Sequence, residues 1–198
     1  MKKFQGRLLR AMVTILVCLV VLAVGRAAGR VFLSPSPVQT IQAQAPPSIT
    51  SQPENTGVVY SIADGDTLTA LDESGKKVRI RLLGIDAPEI SHGSTPADCG
   101  GPEAKEALSA MVTEGDSVTW VTDPISDPVD VYGRVLAYIS TADINDLGLM
   151  LLEQGRVEAW VPKGEPYPTR WGQYVSAQKT AQMAGEGSWS QCQTLGRD

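Results

Sequence analysis

Histidine, cysteine and, past the first thirty residues, positive charge are scarce in this chain of 198 residues, which holds one His, three Cys and two Phe. Cys18 lies inside a hydrophobic stretch, so the body keeps only His92, Cys99 and Cys192. That is too small a ligand set for a structural zinc site, and His92, in the polar run "EISHGSTPADC", reads as a solvated loop residue. No acidic residue precedes Glu54, whereas six of the 17 Lys and Arg fall in residues 1–30. Residues 31–198 therefore set eleven cations against 22 anions, a net charge of −11. A protein that held nucleic acid by phosphate neutralisation alone would be basic, so the balance argues against that class. It leaves room for an enzyme that meets substrate charge locally. There is no internal repeat, and the length suits one domain with a core plus terminal extensions.

What is present begins with a targeting pattern. Lys2, Lys3, Arg7 and Arg10 precede the uncharged stretch "AMVTILVCLVVLAV", short for a spanning helix and long enough for the apolar region of a signal peptide. Residues 1–30 read as a hydrophobic helix acting as signal anchor or signal peptide. The basic bias before it predicts the N-terminus inside and the body outside. The expected location is extracytoplasmic, either secreted or anchored to the membrane through this segment if it is uncleaved. Residues 31–56, rich in Pro, Ser, Gln and Thr without apolar period, read as a disordered linker. In an oxidising compartment Cys99 and Cys192 are disulfide candidates.

The folded body is expected over residues 57–198. "GVVYSIAD", "TLTALD" and "KVRIRLLGI" have strand character, with Val78, Ile80 and Leu82 on one face and Lys77, Arg79 and Arg81 on the other. A helix follows over 101–115, with Pro102 in its first turn and Gly115 as its stop. Two more strands are predicted at 117–123 and 131–140. A short helix over 144–155 is capped by Asn145 or Asp146, and a last one runs from about 168 to 185. This order predicts an α+β domain: a five-stranded OB-type β-barrel with three packed α-helices.

Three stretches remain once the scaffold is accounted for: "DGDT" (64–67), "RLLGIDAPE" (81–89) and "DVYGR" (130–134). Each alone is ordinary turn or strand-exit chemistry. Together they place the candidate carboxylates Asp66, Asp86 and Glu89 and two arginines beside the strands of one barrel. Asp66 and Asp86 are oxygen donors suited to Ca²⁺, and Pro88 biases Ala87 towards an extended conformation in which its carbonyl can join them. Glu89, just beyond, is placed to take a proton from an attacking water. Arg81 and Arg134 offer planar forks that match a phosphate and the charge that builds on it. That set is sufficient for hydrolysing a phosphodiester.

In order and spacing, DGDT, RLLGIDAPE, GPEA, DVYGR and LLEQG make residues 58–192 resemble the staphylococcal nuclease (thermonuclease) family. The resemblance implies an OB-type barrel with three helices and a Ca²⁺-dependent phosphodiesterase that cleaves DNA and RNA to leave 3′-phosphate ends. By motif it implies Asp66 and Asp86 as metal carboxylates, Ala87 as the carbonyl ligand, Glu89 as general base, and Arg81 and Arg134 as phosphate and transition-state residues. Tyr132 matches the family tyrosine beside the second arginine. The best-known member has Thr where Ala87 stands, Lys where Val131 stands, and two nucleotide-pocket tyrosines that align with Trp160 and Pro162. Trp160 keeps a ring for stacking on a base, or for core packing, whereas Pro162 donates no hydroxyl hydrogen bond. No obligate protein partner is expected. The alternative function is a catalytically silent OB-type module that binds nucleic acid or protein, and a Ca²⁺-regulated adhesion domain would explain the acids but not the arginines.

Overall fold

Alternating apolar residues and one tight turn give three consecutive antiparallel strands at the start of the body: β1 (Asn55–Ile62), β2 (Thr67–Asp72) and β3 (Lys77–Leu82). The computed structural model describes residues 53–195; the hydrophobic segment 1–30 and most of the expected linker lie outside them. β1 begins two residues before Gly57, because Asn55 and Thr56 pair with Trp120 and Thr119. The β2–β3 turn is closed by Asp72, whose carboxylate accepts from the backbone N–H groups of Ser74 and Lys76 at 2.9 Å each.

Two further strands, β5 (Ser117–Val121) and β6 (Val135–Ser140), close the sheet into a barrel ordered β1-β2-β3-β6-β5, with β3 and β6 parallel. Period-two alternation sends Leu68, Ala70, Ile80, Leu82, Ala137 and Ile139 into the interior, where each is essentially inaccessible. Full burial of a Leu or Ile side chain contributes about 1.5–3 kcal/mol each. A short pair, β4 (Ile85–Asp86) and β7 (Glu158–Ala159), forms a separate antiparallel ribbon beside the barrel.

The three expected helices are present and each is shorter than its sequence pattern. α1 (Gly101–Met111) ends at Met111, four residues before its Gly115 stop signal. Thr113 instead donates its N–H to the Asp116 carboxylate at 2.7 Å, so residues 113–116 form their own turn. α2 (Leu147–Glu153) starts after Asp146, whose side chain caps it by accepting from Leu149 N–H at 3.1 Å. Ile144 is drawn into a turn by its N–H bond to the Thr141 hydroxyl, 3.0 Å. α3 (Trp171–Ala184) stops at Gly185. Buried Ala104 and Leu108 of α1, Leu147, Leu151 and Leu152 of α2 and Tyr174 of α3 join the core. Cys99 and Cys192 form a disulfide spanning 93 residues of chain, tying the segment before α1 to the one after α3.

One element differs in kind. Residues 131–134, expected as the start of a strand, form a turn. Asp130 accepts through its carboxylate from the N–H groups of Tyr132 and Arg134 at 2.9 Å each, and Gly133 takes a φ of +75°. The β-forming side chains of Val131 and Tyr132 are left on the surface, 92% and 73% exposed. Among the described residues no helix is long and apolar enough to cross a membrane.

Candidate active site

The site is assembled where the β1–β2 turn, the end of β3 and β4 meet. Arg81 lies on the outer face of β3 with Lys77 and Arg79, yet it is only 6% exposed. Its guanidinium donates to the Ile85 carbonyl at 2.8 Å and to the Asp86 carboxylate, and it forms an ion pair with Asp66 Oδ2 at 3.1 Å. One cation therefore holds the two carboxylates singled out as metal ligands, and both are buried. Asp66 also accepts from the Thr67 hydroxyl at 2.7 Å and from Ala87 N–H at 3.2 Å. Asp66, Arg81, Asp86 and Ala87 are thus linked by direct contacts through Arg81 and Asp66.

This closeness depends on small residues. A Cβ on Gly65 would sit 2.6 Å from the Ala104 Cβ and 2.9 Å from the Ala87 Cβ, below any tolerated contact. Gly65 therefore lets the DGDT turn wedge between α1 and the Ala87 segment.

Arg134 reaches the same place from the 130–134 turn. Its Nε donates to Asp130 Oδ2 at 2.7 Å, and its Nη1 lies 3.4 Å from the Thr67 hydroxyl, which in turn donates to Asp66. A chain of polar contacts connects the two arginines through Thr67 and Asp66. Glu89 stands just outside, its side chain 41% exposed and its Oε2 3.8 Å from His92 Nε2. Its backbone is clamped: Glu89 N–H donates to Asp98 Oδ2 at 3.2 Å, and Asp98 N–H returns a 2.9 Å bond to the Glu89 carbonyl. A Cβ on Gly101 would come within 2.3 Å of that carbonyl, so only glycine fits at the start of α1. His92 is a solvated loop residue, 66% exposed at its side chain.

Beside the arginines lies a cavity of about 300 Å³, lined among others by Arg81, Arg134, Tyr132, Trp160, Leu136 and Pro162. Trp160 is half-buried, with its ring centroid 5.6 Å from the Arg81 guanidinium carbon. The Arg134 guanidinium carbon is 5.4 Å from the ring of Tyr132, which projects from the surface and packs in no core. The 131 position, exposed valine, brings no charge to this wall.

Electrostatically the cluster is short of positive charge. Asp64 is half-buried and accepts from the Asp66 N–H at 3.1 Å; burial first, then the charge of Asp66, push its carboxyl up to about 6. Glu89 adds to the same field. Arg134 is paired with Asp130, and Arg81 lies against both Asp66 and Asp86. Among the described residues no group of three or more His, Cys, Asp or Glu is set to hold a metal. The Asp66 and Asp86 oxygens nevertheless fit a hard divalent cation in kind, with carbonyl and water completing the shell.

Four residues of this arrangement carried no signal beyond ordinary turn chemistry: Asp64, Asp98, Asp130 and Thr67. Asp64 and Asp130 accept from N–H groups two to four residues on, a common turn device, and only the fold shows what each of the four touches.

The model of the staphylococcal nuclease homologue family matches residues 79–191. The chain is 33% identical over 143 residues to an uncharacterized endonuclease of Haemophilus influenzae, covering 72% of this chain and 71% of that protein. It is 32% identical over 133 residues to the thermonuclease of Staphylococcus intermedius, covering 67% and 74%. With Endonuclease YhcR of Bacillus subtilis it shares 28% identity over 158 residues, which span only 12% of that longer protein.

Proposed function

This chain belongs to the staphylococcal nuclease family, and from that premise we propose that it is an exported, Ca²⁺-dependent nuclease hydrolysing DNA and RNA to 3′-phosphate ends. The observation that carries the reading is Arg81 bonded at once to Asp66 and Asp86. A buried guanidinium shared by two carboxylates at a cavity mouth has no necessary part in a module that merely binds.

Asp66, Asp86 and the Ala87 carbonyl would hold the cation. When bound, it would neutralise charge on a phosphate oxygen. Arg81 uses part of its five N–H donors within the site; those remaining, with Arg134, bind the scissile phosphate and stabilise the charge that grows on it. Glu89 takes a proton from water, whose oxygen forms a new bond to phosphorus. The P–O5′ bond breaks, the 5′-oxygen leaves and is protonated by solvent, and the phosphate stays on the 3′-oxygen. Trp160 and Tyr132 offer rings at the cavity for the neighbouring base. The Cys99–Cys192 disulfide supports an oxidising, extracytoplasmic setting, with the first thirty residues as signal or membrane anchor.

The test uses the full-length chain with single-stranded DNA and RNA in Ca²⁺ or in EGTA, followed by end-group analysis. Cleavage in Ca²⁺ with 3′-phosphate ends is expected. Intact strands in Ca²⁺ overturn the reading, and 5′-phosphate ends overturn its chemistry.

A further inference from the structure

The reaction at Arg81 leaves two neighbours on the same strand without a part. Lys77, Arg79 and Arg81 occupy alternate positions of β3, so their side chains leave the barrel on one face. Their register partners on β2 are Leu71, Thr69 and Thr67, the last already in the site. Four of the eleven Lys and Arg in residues 31–198 fall within residues 76–81, in a body whose net charge is −11. A scatter of solubilising charge would not concentrate the few cations beside the reacting centre.

Lys77 and Arg79 are both exposed. Among the described residues neither takes part in an ion pair. The Lys77 ammonium rests 3.5 Å from the centroid of the Tyr60 ring, a cation–π contact that orders the side chain without neutralising it. The nearby acids have other partners: Asp72 closes the β2–β3 turn, and Glu73 accepts from the Thr56 hydroxyl at 2.6 Å.

Successive members of the row are about 6.6–6.8 Å apart along the strand, a step comparable with the separation of consecutive phosphates in an extended single strand. Past Arg81 the chain runs in the other direction into the cavity, through Leu83 and Gly84. A substrate with its scissile phosphate at Arg81 would therefore have one nucleotide at the cavity and its continuing backbone over Arg79 and Lys77. We propose that Arg79 and Lys77 form a phosphate track for single-stranded nucleic acid on the side of the scissile phosphate away from the cavity. The proposal rests on the nuclease reading of Arg81. It assigns the track to backbone charge and not to base identity, since the row carries cations and no hydrogen-bonding pocket for a base edge.

The test compares the full-length wild type with the double variant Lys77→Gln/Arg79→Gln; both residues are on the surface, and the charge-keeping variant Lys77→Arg/Arg79→Lys serves as rescue. Equilibrium binding of a fluorescent oligothymidylate in EDTA is read across a salt series, and kcat/KM in Ca²⁺ is read on a long strand and on a substrate with a single phosphodiester. The double variant should bind about tenfold more weakly at low salt, with the log Kd against log salt slope shallower by about 0.7 per cation removed. Its kcat/KM should fall on the long strand and hold on the short substrate, and the rescue variant should behave as wild type. Equal binding and an equal salt slope in wild type and double variant overturn the track. Absence of cleavage by the wild type overturns the nuclease reading instead, and the binding series still decides the track.

Discussion

Two polar clusters flank the barrel, built from the same kinds of residue and opposite in balance. In one, Asp123 and Asp146 sit among donors. Asp123 accepts from the Tyr138 hydroxyl and from Thr169 N–H at 2.8 Å each, from the Thr169 hydroxyl, and from Ile125 N–H at 2.9 Å. Asp146 accepts from the Tyr174 hydroxyl at 2.8 Å, from Arg170 and from the N–H of Leu149. In the other, Asp66 and Asp86 share the Arg81 guanidinium, and Asp64 stands beside Asp66. The titration follows. Burial pushes the Asp123 carboxyl up, but the bonds from Thr169, Ile125 and Tyr138 outweigh it and hold the group below its ordinary value. Asp64 is driven the other way, to about 6. The first cluster fastens α2 and α3 to the barrel; in the second, two buried carboxylates share one cation. Composition alone does not separate a scaffold carboxylate from a working one. What differs is sharing: Asp66 and Asp86 lie on one guanidinium, whereas Asp123 and Asp146 each have donors of their own.

The largest effect expected falls on the working side. Glu89→Gln keeps size and hydrogen bonding but removes the proton acceptor, so kcat on single-stranded DNA should drop by about 10²–10⁴ with KM little changed. Its melting temperature should stay near that of wild type, because half of the side chain is in solvent. Steady-state kinetics beside a thermal melt check both at once.

Asp146→Ala should invert that pattern. It removes the α2 cap and leaves the buried Tyr174 hydroxyl and the Arg170 guanidinium without their acceptor, a loss of about 2–4 kcal/mol in stability. Urea unfolding measures it, and kcat/KM of the folded fraction should be unaltered. A variant as stable as wild type would dissolve the distinction between the clusters.

Smaller, and opposite in sign, is the effect of Asp64→Asn in the absence of divalent cations. The folded Asp64 value of about 6 lies above the ordinary 3.8, so the native state binds the extra proton and gains stability as pH falls between those values. Asparagine there should raise the melting temperature at pH 7 by a few degrees and remove that gain. Asp123 works the other way. Its depressed value contributes stability that is present above 3.8 and lost as pH falls through the folded value, so Asp123→Asn should be less stable than wild type at neutral pH and should flatten the acid limb. Melts between pH 3 and 8 distinguish the two.

Much of this could be read from the chain before folding. Alternation in Val78, Ile80 and Leu82 announced β3, and it put Arg81 outside the barrel, where it is. Its burial was not legible, because the atoms that enclose Arg81 come from Ile85, Asp86 and Trp160, brought there by the β4–β7 ribbon. Two-residue strands leave no periodicity to detect. The 130–134 turn was hidden by Val131 and Tyr132, whose strand propensity lost to three-way bonding by Asp130. Asp66 and Asp86 were singled out by their motifs, and both lie on Arg81, whereas Asp64 and Asp98 looked like turn residues and took on meaning only from what they touch.

Calcium titration of thermal unfolding tests the central claim most directly: the carboxylates around Arg81 are left under-compensated so as to hold a cation. At about 100 times its dissociation constant, a ligand that binds only the native state stabilises it by about 2.7 kcal/mol. The wild-type full-length chain should therefore melt several degrees higher in Ca²⁺ than in EGTA, and Asp66→Ala should show little of that rise. An unchanged wild-type melt, or an equal rise in Asp66→Ala, would contradict the account.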